Sequence, residues 1–337
     1  MQISALKERL RSALVDFAWR QWSQMGVLAA TDRRDVWAQD PEALIVFSLE
    51  VGRDDPRLFD ELLNWLVVNG DLVSRQRLAN LCPPADRTRP VVDAALAWAG
   101  EQGSRLGPLS PPNEAGVPEP LFHSITRVPD PDDVFLRFGF AKPPAGNRLR
   151  SSPPDRFLPV NIAFRLRDLL GVSARAEIIR FLLASRARDA TVLAVAEAAS
   201  YAKRNVAEAL GQLARSDFVT AFWIGNEGRY GIELDRWAQL LETEPADLPL
   251  YRPWPTLLSA LRDVSTWSRA PDLDAMSDYL LASRARDLME SVGPRLSSSG
   301  VKLAEKGIAV DYWASFTETV ENALGKLEPP EPSPSTP

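Results

Sequence analysis

Apolar residues at helical spacing open the chain. Leu6, Leu10, Leu14 and Phe17 recur every three or four positions and mark one stripe of a helix that needs a surface to lie against. Downstream, Asp40-Pro41 and Asp55-Pro56 each set a capping carboxylate before a proline, the favoured opening of a helix, and predict helices over 41–51 and 56–69. The second ends at Asn69-Gly70, where a left-handed C-cap is easy. Ser74 is placed to cap a short helix through Leu81, and 87–100 supplies another. Residues 1–101 therefore read as an all-helical domain.

The pattern breaks in residues 102–159, which hold 12 of the 28 prolines. Proline removes a backbone donor and turns the preceding residue away from helix. Residues 102–156 thus read as a linker or an irregular extended cover, in which Asp133 to Phe140 (DVFLRFGF) is a candidate strand. Periodicity resumes over 157–247 and continues in three C-terminal runs, PLYRPWPTLLSALRDVSTW, DLDAMSDYLLASRARDLMESVG and WASFTETVENALGKL. Their apolar stripes make 248–327 a candidate dimerisation region. The tail 328–337, EPPEPSPSTP, has too little apolar surface to pack and is expected to be disordered. The octapeptide LLASRARD occurs at 182–189 and again at 280–287, which is too few copies for a solenoid and at most a mark of duplicated helices.

Within the middle section, residues 160–233 follow one plan. VNIAFRLRDLLG reads as a helix ending at Gly171, and Ser173 caps a second, SARAEIIRFLLASRA. Thr191 caps a third, VLAVAEAAS, and YAKRNVAEALGQLARSD is a fourth with Val206, Leu210 and Leu213 facing inward. FVTAFWI and RYGIEL follow as short strands joined across Gly225, Asn226, Glu227 and Gly228. Ala196, Ser200 and Val206 have the spacing of a helix-turn-helix: a small residue at the crossing, a turn residue, then an apolar anchor. The expected class is mainly α with a small β wing, in which a helical N-terminal domain, a central winged unit over 157–247 and C-terminal helices succeed one another.

Charge sharpens the middle section. The net charge of −6 divides into −3 over 1–101, zero over 102–155, +4 over 156–230 and −7 over 231–337. Lys142, Arg148, Arg150, Arg156, Arg165, Arg167, Arg175, Arg180, Arg186 and Arg188 crowd a stretch whose only acids are Asp155, Asp168 and Glu177. A basic surplus inside an acidic chain suits a polyanion, although a solvated helical face has the same composition.

VLAVAEAASYAKRNVAEALGQLARSDFV, with FWIGNEGRYGI behind it, resembles the winged helix-turn-helix of ArsR/MarR-type bacterial regulators over about a fifth of the chain. The departures are Ser200 at a turn position often held by glycine, Ala202 at a usual Ser or Thr cap, and Asp217 in place of a terminating glycine. Ser200 is positioned to offset the missing cap from one turn earlier. The resemblance implies a recognition helix whose N-terminal end meets base edges in the major groove. Ser200, Tyr201, Lys203, Arg204 and Asn205 occupy that end, Asn226 and Arg229 lie on the wing, and Arg175, Arg186 and Arg188 flank the site. Arg and Lys suit guanine O6 and N7, Asn suits adenine, and Tyr suits phosphate. Glu208 and Glu227 oppose such binding. The implied partner is double-stranded DNA, contacted by a homodimer on paired half-sites, with repression the expected outcome.

Several chemistries are disfavoured. A single cysteine, Cys82, cannot form an internal disulfide or a multi-thiolate zinc site, and a single histidine, His123, cannot supply HExxH. GxxxxGK[ST] and GxGxxG motifs are missing, so a non-enzymatic protein without cofactor or metal is expected. Trp19, Trp22, Trp37, Trp65, Trp98, Trp254, Trp267 and Trp313 read as core. With no apolar run of membrane-spanning length and a charged start, the reading is cytoplasmic. Ser74, Arg75 and Arg77 offer phosphate contacts should 56–100 form a second helix-turn-helix. The alternative is an antitoxin-like or adaptor protein that uses its winged helix or N-terminal helices to bind a protein encoded nearby. The layout of helical front and central winged helix is similar to that of bacterial regulators encoded beside nucleotidyltransferase toxins.

Overall fold

The computed structural model describes residues 1–28, 35–112, 116–146, 151–305 and 311–329. Capping side chains start several of its helices; the cap expected from Ser173 does not form, its hydroxyl donating instead to the Leu170 carbonyl at 3.3 Å. Helix α1 (Ile3–Gln24) buries Leu6, Leu10, Leu14 and Phe17. Asp40 caps α2 (Pro41–Val51) and Asp55 caps α3 (Pro56–Asn69), each carboxylate accepting from first-turn amides. Ser74 caps α4 (Arg75–Leu81), and α5 (Arg89–Glu101) follows. Gly70 is not left-handed, as its φ is −61°. Glycine is needed there for space, because a β-carbon would collide with Ser104 Oγ.

The proline-rich stretch is a cover rather than a linker. Strands β1 (Glu119–Pro120) and β2 (Phe140–Ala141) pair in parallel around α6 (Asp133–Arg137). The expected strand over 133–140 is thus mostly helix. Asp132 caps α6 by accepting from the Val134 and Phe135 amides at 2.9 and 3.2 Å, which gives the segment local partners that a lone strand lacks. Phe122 and Phe135 lay the cover on Phe59 with ring centroids 5.6 and 5.8 Å away.

Beyond it come α7 (Ile162–Leu170), α8 (Ala174–Ser185), β3 (Ala190–Thr191), α9 (Val192–Ala199), α10 (Lys203–Arg215), β4 (Thr220–Ile224), β5 (Glu227–Gly231) and α11 (Leu234–Leu240). The three strands form an antiparallel sheet in the order β3-β5-β4. The chain closes with α12 (Trp254–Ser268), α13 (Asp278–Ser298) and α14 (Asp311–Gly325). It is mainly helical with one small antiparallel sheet, and among the described residues no helix is long and apolar enough to cross a membrane.

Two cores result. One joins α1 to α6 with α12, α13 and α14; the other is built from residues 162–248 together with Ala38. The C-terminal helices therefore complete the N-terminal body, with Trp254 against Phe17 at 5.2 Å, and the apolar stripes that suggested a dimer surface are largely consumed inside the chain. The LLASRARD copies are not duplicated structure. The first ends α8 with Arg186 at φ +51°, while the second continues through α13. The expectation for the tail falls mostly on residues 330–337, outside those described.

A buried ring of charge joins the cores. Arg77 from α4 grips Asp40 at 2.5 and 2.6 Å and reaches Glu42 at 2.8 Å. Arg167 from α7 spans Glu42 at 2.7 Å and Glu177 at 2.6 Å. Arg180 from α8 closes the circuit to Glu177 at 2.8 Å and Asp40 at 3.2 Å. All six side chains are buried. Arg167 and Arg180, counted in sequence with the basic face, are core residues here, and Lys142 is buried against Asp60 at 2.7 Å. Arg148 and Arg150 lie outside the described residues.

Burial alone would raise the Asp40 and Glu177 carboxyls, but the surrounding arginines outweigh it and hold both below the usual carboxylate range. Depressed folded-state values stabilise the fold fully above about pH 4 to 5, and that stability is lost as pH falls through them. Stability should therefore be flat above this range and decline in acid, as measured by urea unfolding at stepped pH. Arg167→Met leaves Glu42 and Glu177 short of a partner and should cost about 3–5 kcal/mol. A loss below about 1 kcal/mol at unchanged urea slope would show the ring to be dispensable.

Candidate nucleic-acid interface

The site grows from the turn between α9 and α10. Thr191 caps α9 by accepting from the Ala194 amide at 3.1 Å, and Ser200 ends it at φ +57°, the left-handed place where glycine is common. Ala196 and Val206 are both buried in the second core, as their spacing requires. Asp217 also takes a left-handed conformation, at φ +60°. Ala202 starts α10 without a capping side chain, and Ser200 does not supply one. The first-turn amides of this 13-residue helix are thus uncapped, at its positive end.

The turn is clamped from outside by α4. Arg77 Nε donates to the Ala199 carbonyl at 2.9 Å and Asn80 Nδ2 donates to the Ser200 carbonyl at 2.8 Å. The Ser74 and Tyr201 hydroxyls lie 2.8 Å apart. Burial raises the Tyr201 phenol above its ordinary pKa, and the hydrogen bond with Ser74 opposes that only in part. Tyr201 and Ser200 are therefore positioning groups, held by the helical body. The side chains expected to meet phosphate from a second helix-turn-helix in residues 56–100 are engaged within the protein. Ser74 and Arg77 are buried, and Arg75 is spent on the Gly107 and Pro108 carbonyls.

Three expected residues remain free. Lys203, Arg204 and Asn205 are consecutive, exposed and without a hydrogen-bond partner among the described residues, on the first turn of α10. Arg188 and Asn226 are exposed as well. The other flanking cations are occupied: Arg175 donates to Gln212, Arg186 to the Leu248 carbonyl at 3.3 Å, and Arg229 to Glu227 at 2.8 Å and to the Asp189 carbonyl at 3.2 Å. A charge already paired with Glu227 offers a phosphate little.

Sequence reasoning missed the clamp, whose halves lie about 120 positions apart. It also missed the surface of β4, every residue of which is exposed. A signal existed in FVTAFWI, where bulky apolar residues occupy both faces of a strand that has no second layer to cover it.

No protein-family model matches the sequence, and no curated protein or solved structure is significantly similar to it.

If Tyr201 positions α10, Tyr201→Phe should cost about 0.5–1.5 kcal/mol of stability, and a double-mutant cycle with Ser74→Ala should show coupling of the same order. Additive losses in thermal or urea unfolding would show that the two hydroxyls do not act together.

Proposed function

We propose that this chain is a sequence-specific DNA-binding regulator of transcription, a repressor that occupies its site through a winged helix-turn-helix built from α8 to β5. The carrying observation is the triplet Lys203, Arg204 and Asn205, three consecutive unpaired side chains on the first turn of an uncapped helix end, behind a turn clamped by α4. Exposed polar side chains that no protein group holds are bonded to water and remain available to a polar ligand. Arg204 has the planar fork that matches guanine O6 and N7, and Asn205 the amide that matches adenine N6 and N7. Lys203, Arg188 and the α10 amides suit phosphates, with Asn226 at the wing tip.

A protein-binding reading, antitoxin-like or adaptor, is favoured by one separate observation, the exposed apolar strand β4. The two readings rest on different residues and are separable by mutation.

Sites selected by the full-length protein from random duplex DNA provide the test. On the selected sequence Arg204→Ala should lose about 1–3 kcal/mol of affinity and relax preference at one base pair, whereas Arg188→Ala should weaken all sequences alike and lower the salt slope by about one. Arg229→Ala should leave that slope unchanged, since Glu227 already neutralises the guanidinium. Failure to enrich any sequence, or equal losses from Arg204→Ala on selected and scrambled DNA, would refute base reading by α10.

A further inference from the structure

Strand β4 is the outer strand of its sheet: one edge pairs with β5 and the other has no partner among the described residues. Phe222, Trp223 and Ile224 are 42, 71 and 55 % exposed. Among the described residues Trp223 is the only tryptophan left mostly in solvent. An open strand edge is ordinarily blunted by a charge, a proline or a bulge, and residues 218–225, FVTAFWIG, contain no charge and no proline. Contiguous apolar exposure on such an edge marks an interface.

We propose that β4 is a self-association edge, pairing antiparallel with β4 of a second copy of this chain about a twofold axis centred on Phe222. The register follows from the residues. Phe222 faces the second copy's Phe222, Thr220 faces Ile224, and Ala221 faces Trp223, so the largest side chain lies beside one of the smallest. Such aromatic and β-branched cross-strand pairs are the stabilising unit of a sheet. Charge does not oppose the pairing. The strand is neutral, and the ions opposite it on β5, Glu227 and Arg229, neutralise each other at 2.8 Å. The lack of charge also selects against a strongly acidic or basic partner.

The axis is perpendicular to the sheet, so both copies of α10 lie on the same side of a six-stranded assembly, as two half-sites on one duplex require. Each β4 has a single free edge, so pairing stops at two chains. The exposed area of Thr220 to Ile224 is roughly 500 Å² per copy, so pairing the two strands buries at most on the order of 1,000 Å², below the range of stable interfaces, which makes the dimer weak and concentration-dependent. The proposal does not rest on the DNA reading, because mass is measured without DNA.

Light scattering and sedimentation of the full chain should show mass rising from one chain to two with concentration. Phe222→Lys, which sets two cations face to face, should remain a single chain at every concentration, with its circular dichroism unchanged because the side chain is already exposed. Phe222→Cys should cross-link to a dimer on mild oxidation, while Ser283→Cys on the exposed face of α13 should not. The native thiol does not interfere, as Cys82 is buried. A wild-type chain that stays monomeric throughout, or a dimer untouched by Phe222→Lys, overturns the proposal. So does a Trp223→Ala variant that loses DNA binding at unchanged mass, which would assign the strand to DNA.

Discussion

Three arginines and three carboxylates, all buried and arranged in alternation, join the two cores of this protein. Each ion removed from water costs several kcal/mol, so the ring is tolerable only because every charge has opposite neighbours at hydrogen-bond distance. Its members come from three parts of the chain: the start of α2, α4, and the α7–α8 pair. A closed circuit of directional charge-assisted bonds adds a geometric constraint to the apolar packing around it.

That constraint reaches the candidate interface directly. Arg77, which grips Asp40 and Glu42, uses its remaining Nε to hold the Ala199 carbonyl at the turn before α10. Asn80 and Ser74 add their bonds from the same short helix. The first turn of α10 is thus fixed to a body whose core includes both α1 and α14, while Lys203, Arg204 and Asn205 stay free. Fixed backbone with free side chains is what recognition by a rigid scaffold requires.

Sequence revealed what is local. The caps at Asp40, Asp55, Ser74 and Thr191 were legible because a capping oxygen acts on an amide two or three residues away. The left-handed turns at Ser200 and Asp217 were legible from helix-turn-helix spacing. Long-range pairing was not. Arg167 and Arg180 look like surface cations until Glu42 and Asp40 arrive from 125 and 140 positions away. Identical octapeptides can end one helix and continue another, since tertiary context decides which bonds the backbone makes. The partner of the C-terminal helices was hidden for the same reason. An amphipathic stripe states that something must cover it, and in this chain the N-terminal body does so. At the site, Lys203, Arg204 and Asn205 stand where spacing placed them, whereas Tyr201 was withdrawn by Ser74, whose own local role as a cap concealed its second contact.

The central claim is that the exposed end of α10, held by the ring-anchored turn, is the surface that meets DNA. Hydrogen exchange of the full-length protein, with and without a duplex it selects, tests this most directly. The account predicts new protection concentrated in residues 200–212 and at the β4–β5 turn near Asn226, with α4 and the ring helices already slow to exchange in the free protein. Protection confined to α1–α3 or α12–α14, with α10 unchanged, would contradict it.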